Sequence, residues 1–211
     1  YYEDIQDYVS LANADCNRDA GDTSSCAPDG AADLVTAGGT FIADPANPPL
    51  NGEGEPEEAL QLVDYRQQDA RFTGVEGEAA YKLLTGRTKL STRVFGDLVR
   101  AELDGGGNLP RITPPRYGIG LDASQAETRF NLSYTRIARQ DRVAALETET
   151  AGYDLLAADL SQGFTVANSE ATVFLRGRNL LDEEARRHTS FLKEVYPIAG
   201  RSVFVGVNVK F

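Results

Sequence analysis

The last ten residues of the chain alternate so strictly that they predict a strand with two chemically different faces. From Ser202 to Phe211 four valines and the terminal phenylalanine share one face. The opposite face is mostly polar and carries Phe204, Gly206, Asn208 and Lys210. Such a strand suits a membrane-spanning β-barrel, where lipid contacts the apolar row and a wet interior contacts the other. It also suits a soluble sheet whose valines face a core, so the rest of the chain has to decide.

Composition argues against a nucleic-acid partner and against a transmembrane helix. The 211 residues carry a formal charge of -11, which argues against nucleic acid as a partner because a phosphate backbone demands a basic stripe. No run of about 18 apolar residues occurs, so a transmembrane helix is excluded. A barrel is not excluded, because its lipid face is spread over alternate residues.

The dominant period along the chain is two rather than 3.6, which predicts about eight antiparallel strands and no helix. Short connections alternate with longer and more charged ones. The short ones lie near 85–88, 124–126 and 165–169, and the long ones near 12–58, 141–151 and 181–199. This asymmetry is typical of an outer-membrane barrel with short periplasmic turns and long extracellular loops.

The segment 12–58 is predicted to be a long acidic extracellular loop, with Arg18 as its only basic residue. Cys16 and Cys26 lie within it, separated by nine residues in a stretch rich in Gly, Asp and Ser. They predict a disulfide formed in an oxidising compartment. Two reduced cysteines that happen to be close remain the alternative.

Charged residues recur on the face of the strands opposite the apolar rows. If the fold is a barrel, they form an inner wall whose role is to hold strand register and contact a plug, more than to touch substrate. The apolar rows include Gly96, Ala158 and Gly177, and lipid tolerates small residues that a packed core does not. The predicted wall consists of Glu76, Glu78, Arg93, Asp97, Arg129 and Arg176.

Two motifs resemble the C-terminal part of TonB-dependent outer-membrane receptors, most closely the subgroup associated with zinc uptake. One is the run from Phe72 to Glu78. The other, more specific, ends in the final strand and contains Arg178-Asn179-Leu180-Leu181-Asp182, then Arg186, His188, Ser190-Phe191-Leu192-Lys193, Pro197 and Gly200-Arg201. The resemblance spans essentially the whole chain.

This resemblance implies that residues 1–211 are the C-terminal part of a barrel of about 22 strands in the bacterial outer membrane. The plug domain and the segment that contacts TonB would be absent from the chain. Implied partners are outer-membrane lipid, the rest of the receptor with its plug, TonB through that plug, and the barrel-assembly machinery, for which Phe211 would be the signal. The implied function is import of a zinc or iron-chelate class of metal ligand.

Two alternatives stay open: a small complete eight-stranded barrel that serves as an anchor or adhesion module, and a secreted soluble β-sandwich with a binding loop. An enzyme is not expected. His188 is the single histidine and no Gly-x-Ser-x-Gly elbow exists. The glycines 105–107 form a turn without the lysine and helix of a phosphate loop.

No cofactor is expected, although a divalent metal is a possible transported ligand. Carboxylates of the acidic loop and the histidine could bind such a cation. The candidate ligands are His188, Asp15, Asp19 and Asp22. A solvated acidic loop and a hydrogen-bonding histidine are the alternative interpretation.

Overall fold

The computed structural model describes residues 1–13, 34–35, 41–42, 50, 53–54, 56, 60–61, 63–144, 147–166 and 169–210. Its regular elements within these ranges are all β-strands. No helix in this part of the chain is long and apolar enough to cross a membrane.

Eight strands form one antiparallel sheet whose spatial order follows the chain, as in a meander. Three two-residue strands form a second, small sheet with the order β3-β2-β4. The bounds are β1 Tyr2–Asn13, β2 Leu34–Val35, β3 Phe41–Ile42, β4 Leu60–Gln61, β5 Val63–Thr85, β6 Thr88–Leu103, β7 Arg116–Gln125, β8 Thr128–Ile137, β9 Tyr153–Val166, β10 Ser169–Arg178 and β11 Ser202–Lys210. The large sheet omits β2, β3 and β4, and it confirms the prediction of an all-β antiparallel fold with about eight strands.

The small sheet lies largely within the segment 12–58, which is predicted to be a long acidic extracellular loop. β2 pairs with β3 and with β4, so the segment contains regular backbone pairing. The apolar dipeptides Leu34-Val35 and Phe41-Ile42 interrupt a polar sequence. Each is only two residues long, which is too short to produce the alternation from which a strand is recognised.

Strand register places apolar side chains in continuous rows on one side of the large sheet, here called the apolar face. Val205 lies opposite Leu175, which lies opposite Leu160 on the next strand. These residues are 73%, 44% and 43% exposed. A soluble sheet would cover such rows with a second layer, and no described residue supplies one.

The connections define two different edges of the sheet. The short-turn rim carries residues 86–87 and 126–127 and the ends of β9 and β10 that face each other, while the long-loop rim carries the loops 104–115, 138–152 and 179–201. Because consecutive strands are antiparallel, every second connection falls on the same rim. The predicted alternation of short and long connections is therefore present.

On the polar face, two phenylalanines lie flat over glycines of the neighbouring strand. Phe95 covers Gly118, its register partner on β7, and Phe174 covers Gly206 on β11. The guanidinium of Arg93 lies 5.6 Å from the ring centre of Phe95. Arg176 stacks on Phe174 in the same way, at 4.5 Å. Aromatic rings over strand glycines pin register where the sheet bends.

This contact predicts the effect of adding one methyl group. A Cβ at Gly118 would lie 2.6 Å from the Phe95 ring and against the Tyr134 carbonyl, so we expect Gly118→Ala to destabilise the sheet by about 1–3 kcal/mol. The measurement is the thermal unfolding midpoint of the purified protein. Gly77→Ala is the matched control, because no atom lies within 4 Å of its Cβ position. Equal midpoints for the two variants would contradict the proposed contact.

Candidate functional site

The polar face of the sheet carries ion pairs between neighbouring strands. On the β5–β6 pair, Arg93 Nη1 lies 3.6 Å from Glu78 Oε2. Across β6 and β7, Arg116 donates a hydrogen bond to Asp97, its register partner. Arg93, Glu78 and Arg116 are about half exposed, whereas the Asp97 side chain is 16% exposed. Ion pairs that water reaches in this way contribute at most about 1 kcal/mol. Their main effect is on strand register, since they favour one alignment of neighbouring strands over alignments shifted by a residue or more.

A second group of charges lies on β9 and β10. Arg178 contacts the carboxylate of Asp159 with both terminal nitrogens at 2.9 Å. Arg176, the register partner of Asp159, approaches the same carboxylate at 3.4 Å. The Asp159 carboxylate therefore holds two guanidinium groups, and both contacts are strengthened by opposite charge.

The register brings the six residues of the predicted wall to a single face. Arg129 lies between Ser124 and Ser161, its partners on β7 and β9. Arg116, the register partner of Asp97, shares this face but was not among the predicted wall residues. The face opposite the apolar face contains Glu76, Glu78, Arg93, Asp97, Arg129 and Arg176.

Two hollows lie along this polar face. The larger, of about 610 Å³, lies near the short-turn rim and is here called the short-turn hollow. The smaller, of about 410 Å³, is lined by the charged ladder around Glu76, Glu78, Arg93, Asp97 and Arg116.

At the opposite edge, the loop 104–115 folds inward and packs on the sheet. Leu109 is fully buried against Ala70 and Ala101, with Phe72 at the edge of the cluster. The Leu109 N–H donates to the Ala101 carbonyl at 3.1 Å. A buried leucine contributes about 1.5–3 kcal/mol, so this contact fastens the loop to the strands.

One carboxylate joins the three described long loops. Glu147, in loop 138–152, accepts the Arg111 N–H of loop 104–115 at 3.0 and 3.1 Å. Its Oε1 also lies 3.1 Å from His188 Nε2 and 3.8 Å from Lys193 Nζ, both in loop 179–201. The Glu147 side chain is only 8% exposed, so these contacts are shielded from water and salt.

His188 is buried within the same cluster, at 2% exposure. Its Nδ1 lies 2.8 Å from Thr150 Oγ1 and 3.4 Å from Lys193 Nζ. Its Nε2 faces Glu147 without the alignment of a hydrogen bond. Burial lowers the pKa of His188 below its ordinary value of 6.5; the Glu147 carboxylate opposes this shift and the Lys193 ammonium adds to it.

This placement bears on the metal ligands predicted from the sequence. His188 has an ammonium group beside it, which repels a divalent cation. The described residues contain no group of three or more His, Cys, Asp or Glu side chains that could hold a metal ion. The other predicted site residues, Asp15, Asp19, Asp22, Cys16, Cys26 and Phe211, lie outside the described ranges, so the metal site, the disulfide and the assembly signal stay predictions.

The buried cluster of Glu147, His188 and Lys193 was not found from the sequence. Nothing in the pattern around Glu147 distinguishes it from the acidic residues near it, such as Glu149. The contact depends on two loops that are separated by a complete hairpin of β9 and β10.

Comparison with known proteins supports the fold. No family model matches the sequence. Among solved structures, the copper transporter OprC is similar to this chain, with a TM-score of 0.55 and 20% sequence identity. The match covers 71% of this chain and 24% of that chain, so this chain corresponds to about a quarter of the length of OprC. At this identity the likeness shows a shared sheet architecture.

The role of Glu147 is tested by removing its carboxylate. We expect Glu147→Ala to weaken the packing of the three loops by about 3 kcal/mol, because it leaves the buried Lys193 ammonium without its counter-charge. Hydrogen exchange should become faster in peptides from 104–115, 138–152 and 179–201 together. Glu149→Ala is the matched control, since this exposed carboxylate pairs with Arg139 at the surface and should change exchange little. Faster exchange in a single loop would contradict the joint role.

The lowered pKa of His188 predicts a pH dependence with a definite sign. When the loops open, His188 binds a proton below about 6.5, whereas the packed cluster keeps it neutral to lower pH. The stability of the cluster should therefore be complete above about pH 6.5 and should decrease as the pH falls from there. Hydrogen exchange of loop 179–201, corrected for the intrinsic effect of pH, measures it. His188→Gln should remove this dependence, and an unchanged pH profile would argue against it.

Proposed function

We propose that the large sheet is part of the wall of a β-barrel in the bacterial outer membrane, and that the protein is a TonB-dependent receptor for import of a metal ion or metal complex. The observation that carries this proposal is the contrast between the two faces. One face exposes rows of Val, Leu and Tyr, while the other holds two hollows and carries charge ladders. Lipid outside and water inside account for both.

The open edges of the sheet favour a large barrel over a small complete one. In the described part of the chain, β1 has only β5 as a neighbour and β11 has only β10. A closed eight-stranded barrel would pair β1 with β11. Because unpaired backbone groups are costly in lipid, further strands of the receptor are expected to pair with both edges. This also argues against the anchor or adhesion module.

The two rims indicate how the proposed barrel is oriented in the membrane. Long loops face the outside and short turns face the periplasm in barrels of this kind. The long-loop rim, with the acidic segment 12–58, would gather ligand, and the polar face would hold the plug. Energy from the inner membrane would reach the plug through TonB, in parts of the receptor other than this sheet.

The metal is the finer part of the proposal. The motifs at the C-terminal end resemble the zinc-uptake subgroup of TonB-dependent receptors, whereas the structural neighbour is named a copper transporter. The fold likeness therefore favours metal import in general and gives no support for zinc over copper or an iron chelate.

The membrane assignment is tested by two substitutions on the same strand. Val205 lies on the apolar face and is 73% exposed, while Asn208 lies on the polar face. In lipid, Val205→Lys should destabilise the barrel by about 2–4 kcal/mol, because a lysine there loses its water. Asn208→Lys should be tolerated. The readout is the fraction of the full-length receptor that runs as a heat-modifiable band in outer-membrane fractions. A harmless Val205→Lys would mean that this face contacts water and would contradict the membrane assignment. A soluble β-sandwich, in which Val205 faces a core, would give no heat-modifiable band in outer-membrane fractions for the wild type either.

Import itself is tested by deleting the gene and measuring cellular uptake of copper, zinc and iron under starvation for each metal. Reduced uptake of one metal, restored by the wild-type gene, is the expected result. Unchanged uptake of all three would contradict the proposed cargo class while leaving the membrane assignment intact.

A further inference from the structure

Three basic side chains meet at the short-turn hollow. Lys82, Lys89 and Arg129 line it, and none makes an ion pair or hydrogen bond with another side chain in the described part of the chain. By contrast, Arg93 and Arg116, which line the smaller hollow, each contact a carboxylate. In a chain of net charge -11, unpaired cations lining a hollow need a physical explanation.

Register places the three cations within reach of one small group. Lys89 and Arg129 are both opposite Ser124, on either side of β7, which separates their backbones by about 10 Å at the usual strand spacing. Lys82 is opposite Ser91, two residues along β6 from Lys89, at a diagonal distance of about 7–8 Å. Long, flexible side chains at these spacings can converge on the same anion.

The remaining lining of the hollow adds donors. Hydroxyl groups come from Ser91, Ser124 and Ser161. Two carboxylates also line the hollow, but Asp159 is held by Arg176 and Arg178. The other, Asp122, accepts the Asn131 amide at 2.8 Å. Neither has an ion pair with the three cations, so a positive charge remains available to a ligand.

We propose that the short-turn hollow is a binding site for an oxyanion with two or more negatively charged oxygens, of the carboxylate or phosphate class. Its volume of about 610 Å³ is that of a small-molecule site. The inference rests on the proposed function only in placing the hollow at the periplasmic mouth of the barrel. The oxyanion has two possible sources: a free anionic metal complex leaving the barrel, or acidic side chains of another part of the receptor.

The test is calorimetric titration of citrate, and separately of inorganic phosphate, into the full-length receptor in detergent. The key variant combines Lys82→Gln, Lys89→Gln and Arg129→Gln. We expect the wild type to bind citrate with an affinity that falls with added salt, and the triple variant to bind at least about tenfold more weakly, since three positive charges that could donate hydrogen bonds to the anion are removed. Arg87→Gln, in the adjacent turn outside the hollow, is the matched control and should bind like the wild type.

The two sources give different results. Citrate or phosphate binding that depends on the three cations supports a free ligand. If the wild type binds neither anion, but the triple variant lowers the unfolding midpoint and Arg87→Gln does not, the receptor supplies the oxyanion itself. The single variant Arg129→Gln repeats both measurements should the triple variant not fold. Absence of both effects overturns the proposal, and because neither readout uses metal uptake, it leaves the import function untouched.

Discussion

The backbone hydrogen-bond ladder of the large sheet, which joins β1 to β5 and continues through β11, is the constraint on which the other features depend. It fixes which side chains share a face, because successive residues of a strand point in opposite directions. A shift of one residue in any strand would move its charges onto the apolar face. The ion pairs and the phenylalanine–glycine contacts on the polar face are individually weak, yet each one favours the observed register. Their distribution over many strands makes that register specific.

The long-loop rim is built on a different principle. Loops of this length have few backbone partners of their own, and here burial replaces them. Leu109 inserts beside Ala70 and Ala101, and Glu147 links all three described loops through Arg111, His188 and Lys193. In this cluster a histidine lies between a carboxylate and an ammonium. The electrostatic interactions among them are stronger in the low dielectric of a buried site than they would be in water. The rim is therefore fastened by a few buried contacts, whereas the wall is held by many exposed ones.

The difference between the wall and the loop rim explains which features could be predicted from the sequence. Alternation in strands such as β11 is local, so the number of strands, their faces and the alternating loop lengths could be deduced from residues such as Val203, Val205 and Val207. Pairing at the rim joins residues far apart in the chain, and no local pattern marks Glu147 or Leu109. His188 is an example: as a lone histidine it was predicted to be a candidate metal ligand, with a hydrogen-bonding role as the alternative, while its burial beside Lys193 depends on a contact that only folding reveals.

The unequal lengths of the strands give the wall an uneven height. β5 has 23 residues and β6 has 16, against 10 in β7 and β8, and about 9–11 tilted residues suffice to cross a bilayer. β7 pairs with β6 only as far as Asp97, so in the proposed barrel the rest of the β5–β6 hairpin would extend beyond the bilayer on the long-loop side. β1 pairs with this extending part of β5. This taller part of the wall would shield one side of the mouth of the proposed barrel. On the side of β7 and β8 the strands end earlier, and the loops 104–115 and 138–152, joined through Arg111 and Glu147, form the rim there instead.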